Sequence, residues 1–232
     1  MTIKKAMILG AGFGKRMLPL TTKIPKPLIK IGPKNLLERS IELLIKVGID
    51  EIIINTHHLS KEIDNFLGNR NYQISISAIK EEVLLDTGGG ILNATKNFRD
   101  EPFFVLNPDT IWNKNYYEEL IILQNSYLKN NKPILLLVNK MNSYDKSFKG
   151  DFNFTEKNCI IREASNHYIF TGAQIINRSI FKTINEKIFS MNQIWDKMIK
   201  EKRLLGQESS QTFFHVNDFK IYEQLNKLKF ID

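Results

Sequence analysis

Through the first 140 positions, short apolar runs alternate with stretches whose apolar residues return every three or four positions. Residues 5–9 (KAMIL), 51–55 (EIIIN), 103–106 (FFVL) and 134–138 (ILLLV) are short and almost uniformly apolar, the pattern of strands covered on both faces. Leu36, Leu37, Ile41, Leu44 and Ile45 predict a helix over 36–47, capped by Asn35 and ended by Gly48. Ser60 is expected to cap a short helix carrying Ile63, Phe66 and Leu67, with Gly68 stopping it. Residues 116–130 predict a longer helix. Residues 73–79 alternate apolar with polar, as a strand does. Gly88–Gly90 reads as a loop leading into a brief helix over 91–96.

Buried strands alternating with amphipathic helices call for an α/β fold, a mostly parallel central sheet with helices on both faces. Ligands in such sheets bind beyond the carboxyl ends of the strands. The loops at 10–16, 86–90 and 107–112 each follow a strand and should gather along one edge. From 141 onward the pattern changes. Segments 151–154 and 159–163 look like a hairpin, and 168–176 is a strand carrying Thr171-Gly172. Helices are expected at 179–187 and 193–202, the second with Ile194, Trp195, Met198 and Ile199 inward. A last strand is expected at 211–216, and Asp218 should cap a terminal helix. No linker, repeat or low-complexity tract divides the chain, so residues 1–232 read as one domain with halves at 1–140 and 141–232.

The first candidate chemistry follows the first strand. Gly10, Ala11, Gly12 and Gly14 free the backbone of side chains, and amides exposed in such a turn make a nest for anions. Lys15 and Arg16 come next. Lys26 follows between two prolines that stiffen its segment. The group describes a polyphosphate site. Neither common phosphate motif explains it: G-x-G-x-x-G would need glycine where Lys15 stands, and the Walker loop would need a hydroxyl residue where Arg16 stands.

Composition narrows the reading. The formal net charge is +8, which suits an anionic ligand and also nucleic acid. Only seven of the 33 basic residues are arginine and the lysines are scattered, so no nucleic-acid partner is expected. Cys159 is the sole cysteine, which excludes an intrachain disulfide and a thiolate metal cluster and suits a reducing compartment. No apolar stretch reaches the length of a membrane span, and the N-terminal run lacks a cleavage pattern. A cytoplasmic protein without a membrane partner is expected, as monomer or homodimer. His57, His58 and His167 have no usable metal spacing, and Trp112 and Trp195 read as core or lid aromatics.

The run Leu9-Gly10-Ala11-Gly12-x-Gly14-x-Arg16-Met17-x-Pro19-Leu20-Thr21, then Pro25-Lys26-Pro27-Leu28, resembles the two-block motif of the sugar-1-phosphate nucleotidyltransferases. The resemblance continues through Asp86-Thr87-Gly88-Gly89-Gly90, Asn107-x-Asp109 and Thr171-Gly172, and so covers nearly the whole chain. Within the family the T-G-G-G block is most similar to the N-acetylmuramate 1-phosphate uridylyltransferases. The resemblance implies a Rossmann-like nucleotidyltransferase fold with a small sugar-binding lobe. It implies an enzyme joining a sugar 1-phosphate to an NTP, with UTP and N-acetylmuramate 1-phosphate as the favoured pair. Mannose-1-phosphate guanylyl transfer is the rival, and a nucleotide-sugar sensor without turnover is the rival from another class.

A phosphate monoester has its second pKa near 6, so the sugar phosphate is already a nucleophile at neutral pH. The site need only hold two anions in line and neutralise charge. Arg16 is expected to clamp the β- and γ-phosphates, Lys26 to bridge the incoming and α-phosphates, and Lys15 to assist. By the resemblance Asp109 ligates Mg²⁺, Asn107 holds ribose or sugar, Gly88 and Gly89 floor the base, and Asp151, Thr171 and Gly172 contact the hexose. One position departs from the family. Where a second metal-binding Asp is usual, this chain has His215, a poor Mg²⁺ ligand. Three readings stay open: His215 binds phosphate, it ligates a softer ion such as Mn²⁺, or Asp109 works with substrate oxygens alone.

Overall fold

Eleven strands and six α-helices are described by the computed structural model over residues 2–228. Strand β1 (Lys5–Leu9) is followed by the phosphate-type loop and a two-strand ribbon, β2 (Lys30–Ile31) with β3 (Lys34–Asn35). Helix α1 (Leu36–Val47) begins where the sequence places it: the Asn35 side chain accepts from the Glu38 N–H, and Gly48 closes the helix at φ 97°. Then come β4 (Glu51–Thr56), α2 (Ser60–Gly68), β5 (Ser75–Lys80), α3 (Asp86–Ala94), β6 (Pro102–Leu106), α4 (Tyr116–Asn130) and β7 (Ile134–Asn139). The second half adds the ribbon of β8 (Asn153–Phe154) and β9 (Ile160–Ile161), then β10 (Tyr168–Asn177), α5 (Met191–Lys200), β11 (Leu205–Ser209) and α6 (Phe219–Asn226).

Seven strands form one sheet in the order β11-β7-β10-β6-β1-β4-β5. Six run the same way, and β10 alone is reversed, pairing antiparallel with β6 and β7. Alternate residues of each strand enter opposite cores. Ala6, Ile8, Ile52, Ile54, Phe104 and Leu106 pack under α1 and α4, while Met7, Ile53, Phe103 and Val105 pack under α3 and α5. All of these are at most 3% exposed, and apart from Ala6 each side chain contributes roughly 1.5–3 kcal/mol of transfer free energy. Strands β1, β4, β6 and β7 are thus buried on both faces, as their uniform apolarity requires, while the alternating β5 lies at the sheet edge. Among the described residues no helix is long and apolar enough to cross a membrane.

Four local expectations are corrected. Ser60 lies inside α2, and Leu59 at φ 52° caps it without a side-chain bond. Gly88–Gly90 form the middle of α3, not a loop before it. A Cβ at Gly88 would meet the Phe189 ring at 2.3 Å and one at Gly89 the Lys187 carbonyl oxygen at 2.3 Å, so the glycines let this helix lie against the 187–189 chain. The helix expected at 179–187 is only a 3₁₀ turn, Arg178–Phe181, after which the chain crosses to α3. The strand expected at 211–216 makes only isolated bridges, Ser143 with Phe213 and Thr110 with His215. The edge strand is β11 instead, masked in the sequence by Gly206, whose missing Cβ admits the Phe154 ring and Ile160.

Candidate active site

The carboxyl ends of β1, β4 and β6 open into a cavity of about 600 Å³, a size that suits a nucleotide. Gly10, Ala11, Gly12, Gly14, Lys15, Arg16, Lys26, Asn107 and Asp109 all line it. The loop is held from below: Gly10 N–H donates to the backbone oxygen and to Oδ1 of Asn55, and the Thr21 hydroxyl donates to the Gly14 carbonyl. Gly14 sits at φ 63° with Thr21 and Lys26 too close for a Cβ, so the turn that presents the cations needs a glycine.

The charged groups occupy three settings. Lys26 Nζ lies 2.7 Å from Asp109 Oδ2, both side chains four-fifths or more covered. Arg16 is exposed and donates to Asn217 Oδ1. Lys15 rests its ammonium 5.5 Å from the Phe13 ring centre. On the far side of Asp109, His215 Nε2 stands 3.2 Å from Oδ1. This placement comes from residues 213–216 running beside 109–111: Ile111 N–H donates to the Phe214 carbonyl and Val216 N–H to the Asp109 carbonyl. Burial pushes the Asp109 carboxyl upward, but His215 and Lys26 outweigh it and hold the group well below the usual carboxylate range.

A smaller cavity of about 170 Å³ lies on the other side of His215. Asp151 lines it with Phe170, Trp195 and Arg162. Phe170 N–H donates to Asp151 Oδ2 at 2.9 Å. The Asp151 carboxyl is pushed up by burial, against the pull of that N–H, Arg162 and His215. Aromatic rings beside a carboxylate are a surface that suits a sugar.

Four predicted contacts fall elsewhere. Gly88 and Gly89 do not line the nucleotide cavity; their N–H groups both donate to the Phe189 carbonyl, and Asp86, Thr87, Leu84 and Ile188 form that wall. Thr171 is fully buried and its hydroxyl donates to the Leu136 carbonyl, so it supports the sheet. Gly172 at φ 95° makes room: a Cβ there would stand 2.8 Å from the Asn107 Cβ. Sequence reading missed Asn55 and Asn217 in the cavity wall and Arg162 in the smaller one, since single polar residues outside a motif carry no local mark.

Asp109 Oδ1 and His215 Nδ1 are buried without a hydrogen-bond partner. Oδ1 meets only His215 Nε2 at 3.2 Å without a hydrogen bond, and a carboxylate oxygen so under-used on the wall of the nucleotide-sized cavity fits a divalent ion that takes most of its ligands from substrate and water. Among the described residues no group of three or more His, Cys, Asp or Glu could hold a metal by itself.

A profile of the nucleotidyl transferase family matches residues 5–144, the part that builds this cavity. The chain belongs to the sugar-1-phosphate nucleotidyltransferase family. Such a nucleotidyltransferase from Aneurinibacillus thermoaerophilus, D-glycero-alpha-D-manno-heptose 1-phosphate guanylyltransferase, is 26% identical over 217 residues, 91% of this chain and 92% of that one. The N-acetylmuramate alpha-1-phosphate uridylyltransferase of Caulobacter vibrioides is 25% identical over 224 residues, 93% of this chain and 92% of its own. The crystal structure of HddC from Yersinia pseudotuberculosis superposes with a TM-score of 0.77 at 22% identity, covering 97% of this nucleotidyltransferase and 99% of HddC.

Proposed function

We propose that this protein joins a sugar 1-phosphate to a nucleoside triphosphate and releases pyrophosphate, with UTP and N-acetylmuramate 1-phosphate as the pair. One observation carries the reaction class: Arg16, Lys26 and Asp109 converge on a single cavity floored by the Gly10–Gly14 loop. A sugar-phosphate oxygen attacks the α-phosphorus. The new O–P bond forms as the bond to the β-phosphate oxygen breaks, and pyrophosphate leaves with that electron pair, so no protein base is needed. Lys26 neutralises the reacting phosphates from beside Asp109, and Arg16 grips the departing pair of phosphates with its planar fork. Asp109 would hold Mg²⁺, with His215 better suited to Mn²⁺; the ion supplies charge neutralisation. Asp151 faces the sugar hydroxyls.

The choice of uridylyl transfer rests on the likeness of the Asp86–Gly90 block and of the Caulobacter relative. The Aneurinibacillus relative supports a second reading, GTP with a manno-configured sugar 1-phosphate, of which mannose 1-phosphate is the simplest. Pyrophosphate release measured with four NTPs against N-acetylmuramate, mannose and heptose 1-phosphates decides between them. Nucleotide binding without release from any pair would assign a sensor instead.

A further inference from the structure

Two glycine motifs far apart in sequence meet the same buried pair. Asn55, at the end of β4, and Glu81, just beyond β5, are each 2% exposed. Asn55 Nδ2 donates to Glu81 Oε1 at 2.7 Å, and Asn55 Oδ1 accepts from Gly10 N–H at 2.9 Å. Glu81 Oε2 accepts from Leu85 N–H at 3.0 Å, just before α3. The Asn55 amide therefore has one orientation, oxygen toward the phosphate loop and nitrogen toward the carboxylate. The glycines that flank the pair have no room for a side chain. A Cβ at Gly10 would lie 2.8 Å from the Asn55 carbonyl oxygen. A Cβ at Gly90 would lie 2.7 Å from Asn55 Nδ2 and 2.8 Å from Glu81 Oε1. Gly90 is therefore a glycine because of this pair, not to bare backbone for a ligand.

We propose that Asn55 and Glu81 are positioning residues for the nucleoside triphosphate. They bolt the phosphate loop at Gly10 to the wall that begins at Leu85 and runs through Asp86 and Thr87. Asn55 itself also lines the cavity. The pair thereby fixes the distance between the part of the site that meets phosphates and the part that faces the nucleoside. The sugar cavity shares none of these bonds, so the pair acts on one substrate alone. This inference rests on the transferase reading above.

The test uses Glu81→Gln, nearly the same shape but with an amide that cannot accept both hydrogen bonds, and Gly90→Ala, which crowds the pair from α3. The alanine Cβ must displace the Asn55 and Glu81 side chains, so some loss of thermal stability is expected whatever the role; a purely structural role predicts that loss with nucleotide affinity unchanged in the folded protein. Binding of UTP and of GTP by calorimetry, the KM of each substrate and thermal melts are measured on the full chain. The expected result is a roughly 10–100-fold weaker nucleotide in both variants, with KM for the sugar 1-phosphate within about threefold of the parent. Unchanged nucleotide affinity, equal rises for both substrates, or loss of the folded state in both variants overturns the positioning role while leaving the transferase reading intact. A parent protein that binds neither nucleotide overturns both.

Discussion

Lys26 Nζ and Asp109 Oδ2 lie 2.7 Å apart although 83 residues separate them in the chain. Among the described residues the other ionisable group against this carboxylate is His215, so a lysine and a histidine flank one acid on a wall of the phosphate cavity. In Lys26→Ala the carboxylate loses its permanent partner. Turnover should fall by at least about a hundredfold, the effect of removing a group that meets developing charge. Stability should fall by roughly 1–3 kcal/mol for an acceptor left without its bond. Steady-state kinetics and urea melts measure the two effects separately.

Among the described residues Arg16 makes no ion pair at Asp109; its side chain donates to Asn217. Arg16→Ala should therefore cost at least about a hundredfold in turnover while leaving the melting temperature within about 1 °C, because the side chain is exposed. A variant with near-parental rates would remove Arg16 from the phosphate clamp.

Acid stability tests the electrostatics. The Asp109 carboxyl titrates below its unfolded value near 3.9, so it adds stability that is complete above that pH and is lost as pH falls through its lower native value. Asp109→Asn should be less stable than the parent at pH 7, with the gap narrowing toward pH 2. Denaturant midpoints at pH 7, 4 and 2.5 measure it. A gap that widens in acid reverses the sign and defeats this account.

Asp151 carries the opposite sign. Burial raises its carboxyl, so ionisation opposes folding at neutral pH and the opposition fades in acid. Asp151→Asn can still accept from Phe170 N–H, and should melt a few degrees higher at pH 7 while KM for the sugar 1-phosphate rises about tenfold. A steadier protein with an unchanged KM would place the sugar elsewhere.

Thr171 and Gly172 are neighbours with different duties. Thr171→Val removes the bond to the Leu136 carbonyl and should lower stability by about 1 kcal/mol without altering either KM. Gly172→Ala forces a side chain into a left-handed position against Asn107; it should cost about 1–3 kcal/mol and weaken substrate binding together. Paired melts and kinetics on the two variants separate them.

What the sequence made legible was local. Asn35 and Gly48 announce the ends of α1 because a cap and a left-handed stop act within four residues. The apolar runs announce the sheet because a two-sided burial leaves no polar position. Arg16, Lys26 and Asp109 stood out because cations, prolines and a strand-end acid follow one another in order. Ser60 is off by one position for a local reason, Leu59 taking the cap at φ 52°, but the glycine misreadings share a cause, a reason that lies far along the chain. Gly88 and Gly89 answer to residues 187–189, Gly90 to Asn55 and Glu81, and Gly172 to Asn107. A glycine shows only that space is short, never what fills it. Residues 211–216 look like a strand, yet their bonds go singly to 109–111 and 142–144.

The stretch from Phe213 to Asn217 supplies His215 to Asp109 and Asn217 to Arg16, and both of those partners belong to the first half of the chain. During synthesis, a ribosome that has reached residue 200 has already made the glycine loop, Lys26 and Asp109. It has not made the piece that braces them. Such a nascent chain holds the floor of a triphosphate pocket without a finished catalytic wall, and competence arrives only once residues 213–217 emerge and settle alongside Thr110.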